Sequence, residues 1–263
     1  MRCPRAYYLH NVYKNPQTRR KMNIVSPAMS LGIAVHNVLE GLRTLPAEKR
    51  MEQDLFARLE KEWEKVSGTK GGFTSAEQEE ETKARATTMV QRAIDHPGPL
   101  NKKTILLAQE RENKLPYYYL SEKENIILCG KVDWIEYLEE TDSLKIIDFK
   151  TGKQEERSDS LQLPIYTLLL HTLQKRPVTG AAYWYLEYSD ELQEKELPAL
   201  EEAQEKVLHV AREVSAARAT KTFPCPHGED GCFACTPYER ILRNEATYVG
   251  VGEYNQDLYM VEE

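Results

Sequence analysis

The sequence predicts a mixed α/β fold, a central mixed sheet flanked by helices with a helical N-terminal insertion. Helical periodicity dominates residues 28–97, a strand-rich block with a hairpin signature occupies 104–188, and the apolar stretch from Leu161 to Gln174 reads as a crossover helix between two strands. Taken in order, apolar residues recur at helical spacing over Cys3 to Tyr13, Ser30 to Leu42, Ala47 to Val66 and Ser75 to Asp95, and the glycines between Gly68 and Gly72 predict a turn. The strand block reads as Thr104 to Asn113, Ile126 to Leu138, Leu144 to Lys150 and Val178 to Tyr188, rich in β-branched and aromatic residues. A helix from about Pro198 to Ala219 leads into a cysteine-rich loop, 220–243. No internal repeat is visible. At 263 residues and 41% hydrophobic content the chain can bury a full core, so 1–263 reads as one domain.

The chemistry concentrates at the hairpin. A polar run, Glu139-Glu140-Thr141-Asp142-Ser143, separates its two apolar arms. If Leu138 pairs near Ser143, the antiparallel register carries Asp133 opposite Asp148, and the period of two puts Lys150 on the face of Asp148. Like charges facing each other across a sheet are destabilising unless a cation compensates them. Oxygen ligands suit Mg²⁺ or Mn²⁺, which polarise a phosphoryl oxygen and acidify water, while a neighbouring lysine stabilises developing negative charge. The plainer reading is a cross-strand ion-pair cluster on a solvated face, since Asp-X-Lys is common by chance. Against it, Asp148 follows the apolar run from Leu144 to Ile147 and Gly152 ends the strand, so the charged pair sits where an apolar strand emerges.

Two further segments bear on this centre. His36 stands beside the apolar helical face of Leu31, Val35, Val38, Leu39 and Leu42, a setting in which histidine serves either as a packing residue or as a ligand. Gln162 and Tyr166 share a helix face, with packing plus one hydrogen bond as the plainer role. Pro164 then lies near the helix start, which places the cap in Ser158 to Ser160.

Cys225, Cys232 and Cys235 cluster in a Gly- and Pro-rich loop, a metal-ligand pattern, while Cys3 stands at the other end of the chain. A Zn²⁺ site of Cys225, His227, Cys232 and Cys235 is one reading of that loop. A disulfide framework is disfavoured by five cysteines and the lack of a secretory leader. Cys129, in an apolar strand, is expected to be a small core residue.

Five segments in order, Cys3-Pro4-Arg5-Ala6-Tyr7-Tyr8, Gly32-Ile33-Ala34-Val35-His36, Gly130-Lys131-Val132-Asp133, Asp148-Phe149-Lys150-Thr151-Gly152 and Gln162-Leu163-Pro164-Ile165-Tyr166, resemble the PD-(D/E)XK nuclease superfamily. The nearest likeness is to its RecB-type members, the AddB nuclease domain and the CRISPR-associated RecB-like exonucleases. The resemblance implies a restriction-endonuclease-like core in which His36, Asp133, Asp148 and the carbonyl of Phe149 hold Mg²⁺ or Mn²⁺ and Lys150 is catalytic. Gln162 and Tyr166 would orient the lysine or contact DNA, and Glu110 matches an acidic position of less defined role. It further implies an exonuclease on single-stranded DNA ends, in recombinational repair or CRISPR adaptation, with a helicase or integration proteins as partners. In such nucleases one N-terminal and three C-terminal cysteines hold a 4Fe-4S cluster. Here Ile241 occupies the usual last cysteine place, so Cys225 would substitute from upstream to give Cys3, Cys225, Cys232 and Cys235; zinc, or loss of the cluster, are the alternatives. Relatives carry a Ser- and Tyr-containing segment before the Cys-Pro-Arg motif, so a short start or a truncated gene is expected.

A net charge of -7 argues against indiscriminate coating of nucleic acid, yet no acid occurs from Met1 to Lys21. There Arg2, Arg5, Arg19 and Arg20 are interleaved with Tyr7 and Tyr8, which suits phosphate contact with base stacking; a solvated basic segment is the alternative. With no apolar run of membrane-spanning length and no signal, the cytoplasm is the expected location. Two other function classes stay open: a non-catalytic DNA-binding or assembly subunit of the same fold, and a zinc-stabilised interaction module.

Overall fold

The computed structural model describes residues 3–261, and the chain divides into two compact units. A terminal unit takes the residues up to Ser30, Trp63–Lys83 and the residues from Val210 onward; a central unit takes Leu31–Glu62 and Ala84–His209. The helices are α1 (Pro4–Tyr7), α2 (Pro27–Glu40), α3 (Ala47–Arg50), α4 (Leu55–Trp63), α5 (Ala76–Asp95), α6 (Ala108–Arg111), α7 (Gln162–Leu173), α8 (Leu200–Thr220) and α9 (Thr236–Leu242). The strands are β1 (Met22–Val25), β2 (Tyr117–Ser121), β3 (Ile126–Cys129), β4 (Trp134–Leu138), β5 (Ser143–Lys150), β6 (Val178–Tyr185), β7 (Gln193–Lys195), β8 (Thr247–Val251) and β9 (Asp257–Met260). No helix among the described residues is long and apolar enough to cross a membrane.

The central unit is built on the mixed sheet β4-β5-β6-β7, in which β5 lies antiparallel to β4 and parallel to β6, with α7 as the crossover. Strand β5 is buried on both faces, which is why it reads as a nearly continuous apolar run. Leu144 and Ile146 join Ile135, Ala181 and α7's Leu168, Leu169 and Leu170 in one core. On the opposite face Phe149 lies with its ring 6.0 Å from those of Trp134 and Trp184. The alternation makes the next residues on α7's side of β5 Asp148 and Lys150.

Several expected elements are redrawn. The arm expected from Ile126 to Leu138 is two strands in different sheets: β3 pairs with β2, and only β4 pairs with β5. The break falls at Gly130, where a Cβ would sit 3.1 Å from Leu169 Cδ1, so a larger residue would have to push the Leu169 side chain of α7 aside. Thr104 to Asn113 is not a strand. Thr104 makes a single bridge to Glu136, after which the Glu110 carboxylate accepts the Leu107 N–H at 3.1 Å and starts the short α6. Ala47 to Val66 splits into α3 and α4 because Asp54 accepts the Ala57 N–H at 2.9 Å and begins a new helix. Arg50 ends the first piece, its guanidinium bonded to the carbonyls of Leu42, Leu45, Leu100 and Lys102. Cys129 is exposed rather than a core residue, since the pleat turns Leu128 inward and Cys129 out.

The terminal unit holds the sheet β1-β9-β8, with β1 parallel to β9. Its core gathers Cys3, Leu9, Met22, Cys225, Cys235 and Ile241. Cys3 to Tyr13 is not one regular helix: α1 gives way to a π-helical turn, Tyr8–Val12, closed by the Tyr13 N–H on the Tyr8 carbonyl at 2.8 Å. Gly72 ends a 3₁₀ turn at φ 81°, and a Cβ there would lie 2.7 Å from Ser26 Cα. Gly72→Ala therefore meets both left-handed strain and a backbone clash, and should destabilise by about 2 kcal/mol or more. Urea unfolding checks this; an unchanged midpoint would contradict the packing.

Candidate active site and a four-cysteine cluster

The β4–β5 pairing places the acids. Leu138 faces Ser143 and Trp134 faces Ile147, so one step further Asp133, just before β4, comes abreast of Asp148. Asp133 is 8% and Asp148 0% exposed. Asp133 Oδ2 accepts the Phe149 N–H at 2.9 Å, while Asp148 accepts Gln162 Nε2 on Oδ1 at 2.6 Å and lies 2.7 Å from Lys150 Nζ through Oδ2. Burial, then the Asp148 charge, pushes the Asp133 carboxyl up to about 7. Two buried carboxylates are thus held together at a cost that a bound cation removes.

Lys150 reaches Asp148, Glu156 at 2.9 Å and the Gln162 side-chain carbonyl, and its ammonium stands 4.8 Å over the Tyr183 ring. Burial opposes its charge, but Asp148 and Glu156 outweigh burial and hold it above the usual lysine range. Gln162, at the first position of α7, therefore binds lysine and acid together and also donates to the Tyr166 hydroxyl at 3.1 Å. One turn of helix brings both side chains to this point. Burial and the charges of Asp133 and Asp148 keep the Tyr166 phenol far above its ordinary range, so it stays protonated. The N-cap is Leu161, which offers no side-chain cap, and not one of the expected residues Ser158 to Ser160; Ser160, one residue earlier, accepts the Gln162 N–H at 3.3 Å.

His36 projects from α2 toward the same acids, its Nδ1 3.5 Å from Asp133 Oδ2 and 3.3 Å from Glu40 Oε1. Burial disfavours its charge, but Glu40 and Asp133 prevail and raise it. His36, Glu40 and Asp133 bring potential ligand atoms within 4.8 Å of one another, a nitrogen and carboxylate set that accepts a hard divalent ion such as Mg²⁺ or Mn²⁺. Sequence reasoning missed Glu40, although its spacing of four from His36 on a helix could have found it. Lys131 pairs with Glu40 at 2.5 Å and Arg43 with Glu110 at 3.0 Å, while Arg43 also donates to the Val132 carbonyl at 2.9 Å. Glu110 thus anchors Arg43, and it stands outside the His36, Glu40 and Asp133 group.

A family model of the PD-(D/E)XK nuclease superfamily matches residues 1–241. The chain belongs to that superfamily. No curated protein matches it. Superfamily membership makes the hydrolysis of nucleic-acid phosphodiesters with divalent metal the coarse activity, and the mixed sheet with its crossover helix is the corresponding fold.

In this superfamily member the second candidate centre lies in the terminal unit. The sulfurs of Cys3, Cys225, Cys232 and Cys235 all lie within 4.8 Å of one another. His227 is exposed and outside the group, so Cys3 and not His227 is the fourth candidate ligand. Cys3 caps α1, with the Ala6 N–H 3.4 Å from its sulfur, and Pro4 occupies the first turn. Main-chain N–H groups, that of Ala234 first, hold Cys232 down to about 6, whereas burial pushes Cys235 up to about 12. Gly231 sits at φ 79°, a left-handed conformation that favours glycine, and a Cβ there would also press on the Cys235 sulfur at 3.1 Å. Four soft sulfur donors fit zinc or an iron–sulfur cluster.

The expected DNA-contact residues separate. Arg5 pairs with Glu239 at 2.8 Å and donates to the carbonyls of Gly228 and Glu229, tying α1 to the cysteine loop. Tyr8 stacks on Phe223 at 4.8 Å, and the Tyr7 hydroxyl accepts from Arg218. Arg19 and Arg20 lie instead on a loop with Lys14 and Lys21. Arg2 lies outside the described residues.

Proposed function

We propose that this chain is a RecB-type nuclease that degrades DNA from single-stranded ends, in repair and recombination or in CRISPR adaptation, beside a helicase or integration proteins. The observation that carries the reading is the pair of buried carboxylates with one lysine clasped between acid and amide. His36, Glu40 and Asp133, whose ligand atoms lie together, would hold Mg²⁺ or Mn²⁺, and Asp148 and the Phe149 carbonyl, which the family resemblance adds, would complete the set. The ion supplies Lewis-acid polarisation of a phosphoryl oxygen and a more acidic water. The protein supplies the rest. Lys150, kept charged, offers its ammonium to the negative charge that builds on the phosphate, and Gln162 fixes its position relative to Asp148. Tyr166, held protonated, sets the Gln162 amide. A 4Fe-4S cluster on Cys3, Cys225, Cys232 and Cys235 would join the terminal unit's first and last segments.

The purified protein should shorten an end-labelled single strand progressively in Mg²⁺ or Mn²⁺ and leave it intact in EDTA. Comparison of 5′- and 3′-labelled strands gives the polarity. A strand that survives in both metals overturns the assignment.

A further inference from the structure

The terminal unit contains a cavity of about 410 Å³ lined by Lys14, Arg19, Arg20, Lys21, Tyr254 and Gln256, among others. Its cations come from a segment that has no acid from Cys3 to Lys21, in a chain whose net charge is -7. The loop that presents them is rigidly built. The Asn15 N–H donates to the Arg20 carbonyl and the Arg19 N–H to the Asn15 carbonyl, both at 2.8 Å, Asn15 Oδ1 accepts the Gln17 N–H at 2.9 Å, and the Thr18 hydroxyl donates to the fully buried Asp257. Arg20 is held by Asn255 at 2.9 Å and Asp257 at 3.5 Å, so Asp257 balances the charge of the anchoring arginine. Arg19 is held at φ 62°, a conformation that residues with a Cβ rarely keep unless the surroundings impose it.

Two features say what the cavity takes. The cations suit an anion of distributed charge, and Tyr254, 87% exposed at the rim, offers an aromatic face. Gln256 and Asn255 line the cavity beside that aromatic face and supply neutral polar groups. We propose that this cavity docks single-stranded nucleic acid, its phosphates on Lys14, Arg19 and Lys21 and a base against Tyr254. The proposal rests on the nuclease reading only in taking the substrate strand as occupant.

The test uses the full chain in EDTA with a fluorescein-labelled single-stranded oligonucleotide, its anisotropy followed across salt concentrations. A double variant, Arg19→Ala with Lys21→Ala, should bind about tenfold more weakly, and its log–log salt slope should be shallower by about 1.4, from two contacts at about 0.7 each. Tyr254→Ala should also weaken binding about tenfold. Hydrolysis of bis(p-nitrophenyl) phosphate in Mn²⁺ should stay at the wild-type level in all of them. Wild-type affinity and slope in variants with wild-type thermal midpoints overturn the docking site and leave the nuclease reading standing. Weakened binding in a protein whose wild type hydrolyses nothing sustains the docking site and removes the nuclease reading.

Discussion

Asp133→Asn is expected to impair metal-dependent cleavage severely while making the metal-free protein more stable at pH 8. The two effects share one cause. Burial and Asp148 place the Asp133 carboxyl at about 7 in the folded protein, above the unfolded value of 3.8. Folding therefore favours the protonated acid: its contribution is fully present below the unfolded value and is lost as pH rises through about 7. A neutral asparagine, which can still accept the Phe149 N–H, escapes that loss. The gain is on the order of a few kcal/mol at about 1.4 kcal/mol per pH unit, and it should vanish as pH falls toward the unfolded value. Cleavage should fall by roughly 10³-fold, since a divalent ion is worth several kcal/mol at about 1.4 kcal/mol per decade. Lys150→Ala should lose cleavage and stability together, because it leaves Asp148 as a buried acid without its ammonium. Thermal unfolding in EDTA at pH 5 and pH 8, beside the end-labelled strand assay in Mn²⁺, separates these outcomes. An ordinary ion-pair cluster would give the reverse for Asp133→Asn: lower stability and intact cleavage.

The second large effect concerns the cysteines. Cys235→Ser should lower the melting temperature by about 10 °C or more, since a bound metal contributes folding free energy directly and a few kcal/mol in a chain of this size moves the midpoint by that much. Cys129→Ser, which alters an exposed residue of β3, should leave it unchanged, and so should His227→Ala. Anaerobic purification with metal analysis and visible absorbance decides between iron–sulfur and zinc. A drop with His227→Ala and none with Cys3→Ala would replace the four-cysteine set by a Cys₃His zinc site.

Much of the candidate centre was legible because its determinants are local. The antiparallel register of β4 and β5 follows from one short turn, and the period of two then fixes the side on which Asp133, Asp148 and Lys150 meet. Gln162 and Tyr166 follow from one turn of helix, as Glu40 would have from His36. Glu156 was not legible. It lies in an irregular loop, and its pairing with Lys150 depends on how that loop returns along the sheet.

The sequence by itself determined the fold class, the hairpin that confronts two acids and the crossover helix beside them, whereas the choice of Cys3 over His227 beside Cys225, Cys232 and Cys235 came from the tertiary structure. The tertiary structure decided where the apolar run through Cys129 breaks, that β1 lies parallel to β9 across nearly the whole chain, and that Arg5 serves the cysteine loop while Arg19 lines a cavity. The reason is range. Turn chemistry and side-chain period act over a few residues and are written in the local pattern, whereas pairings between distant segments are selected by the core they bury together, which no local pattern records.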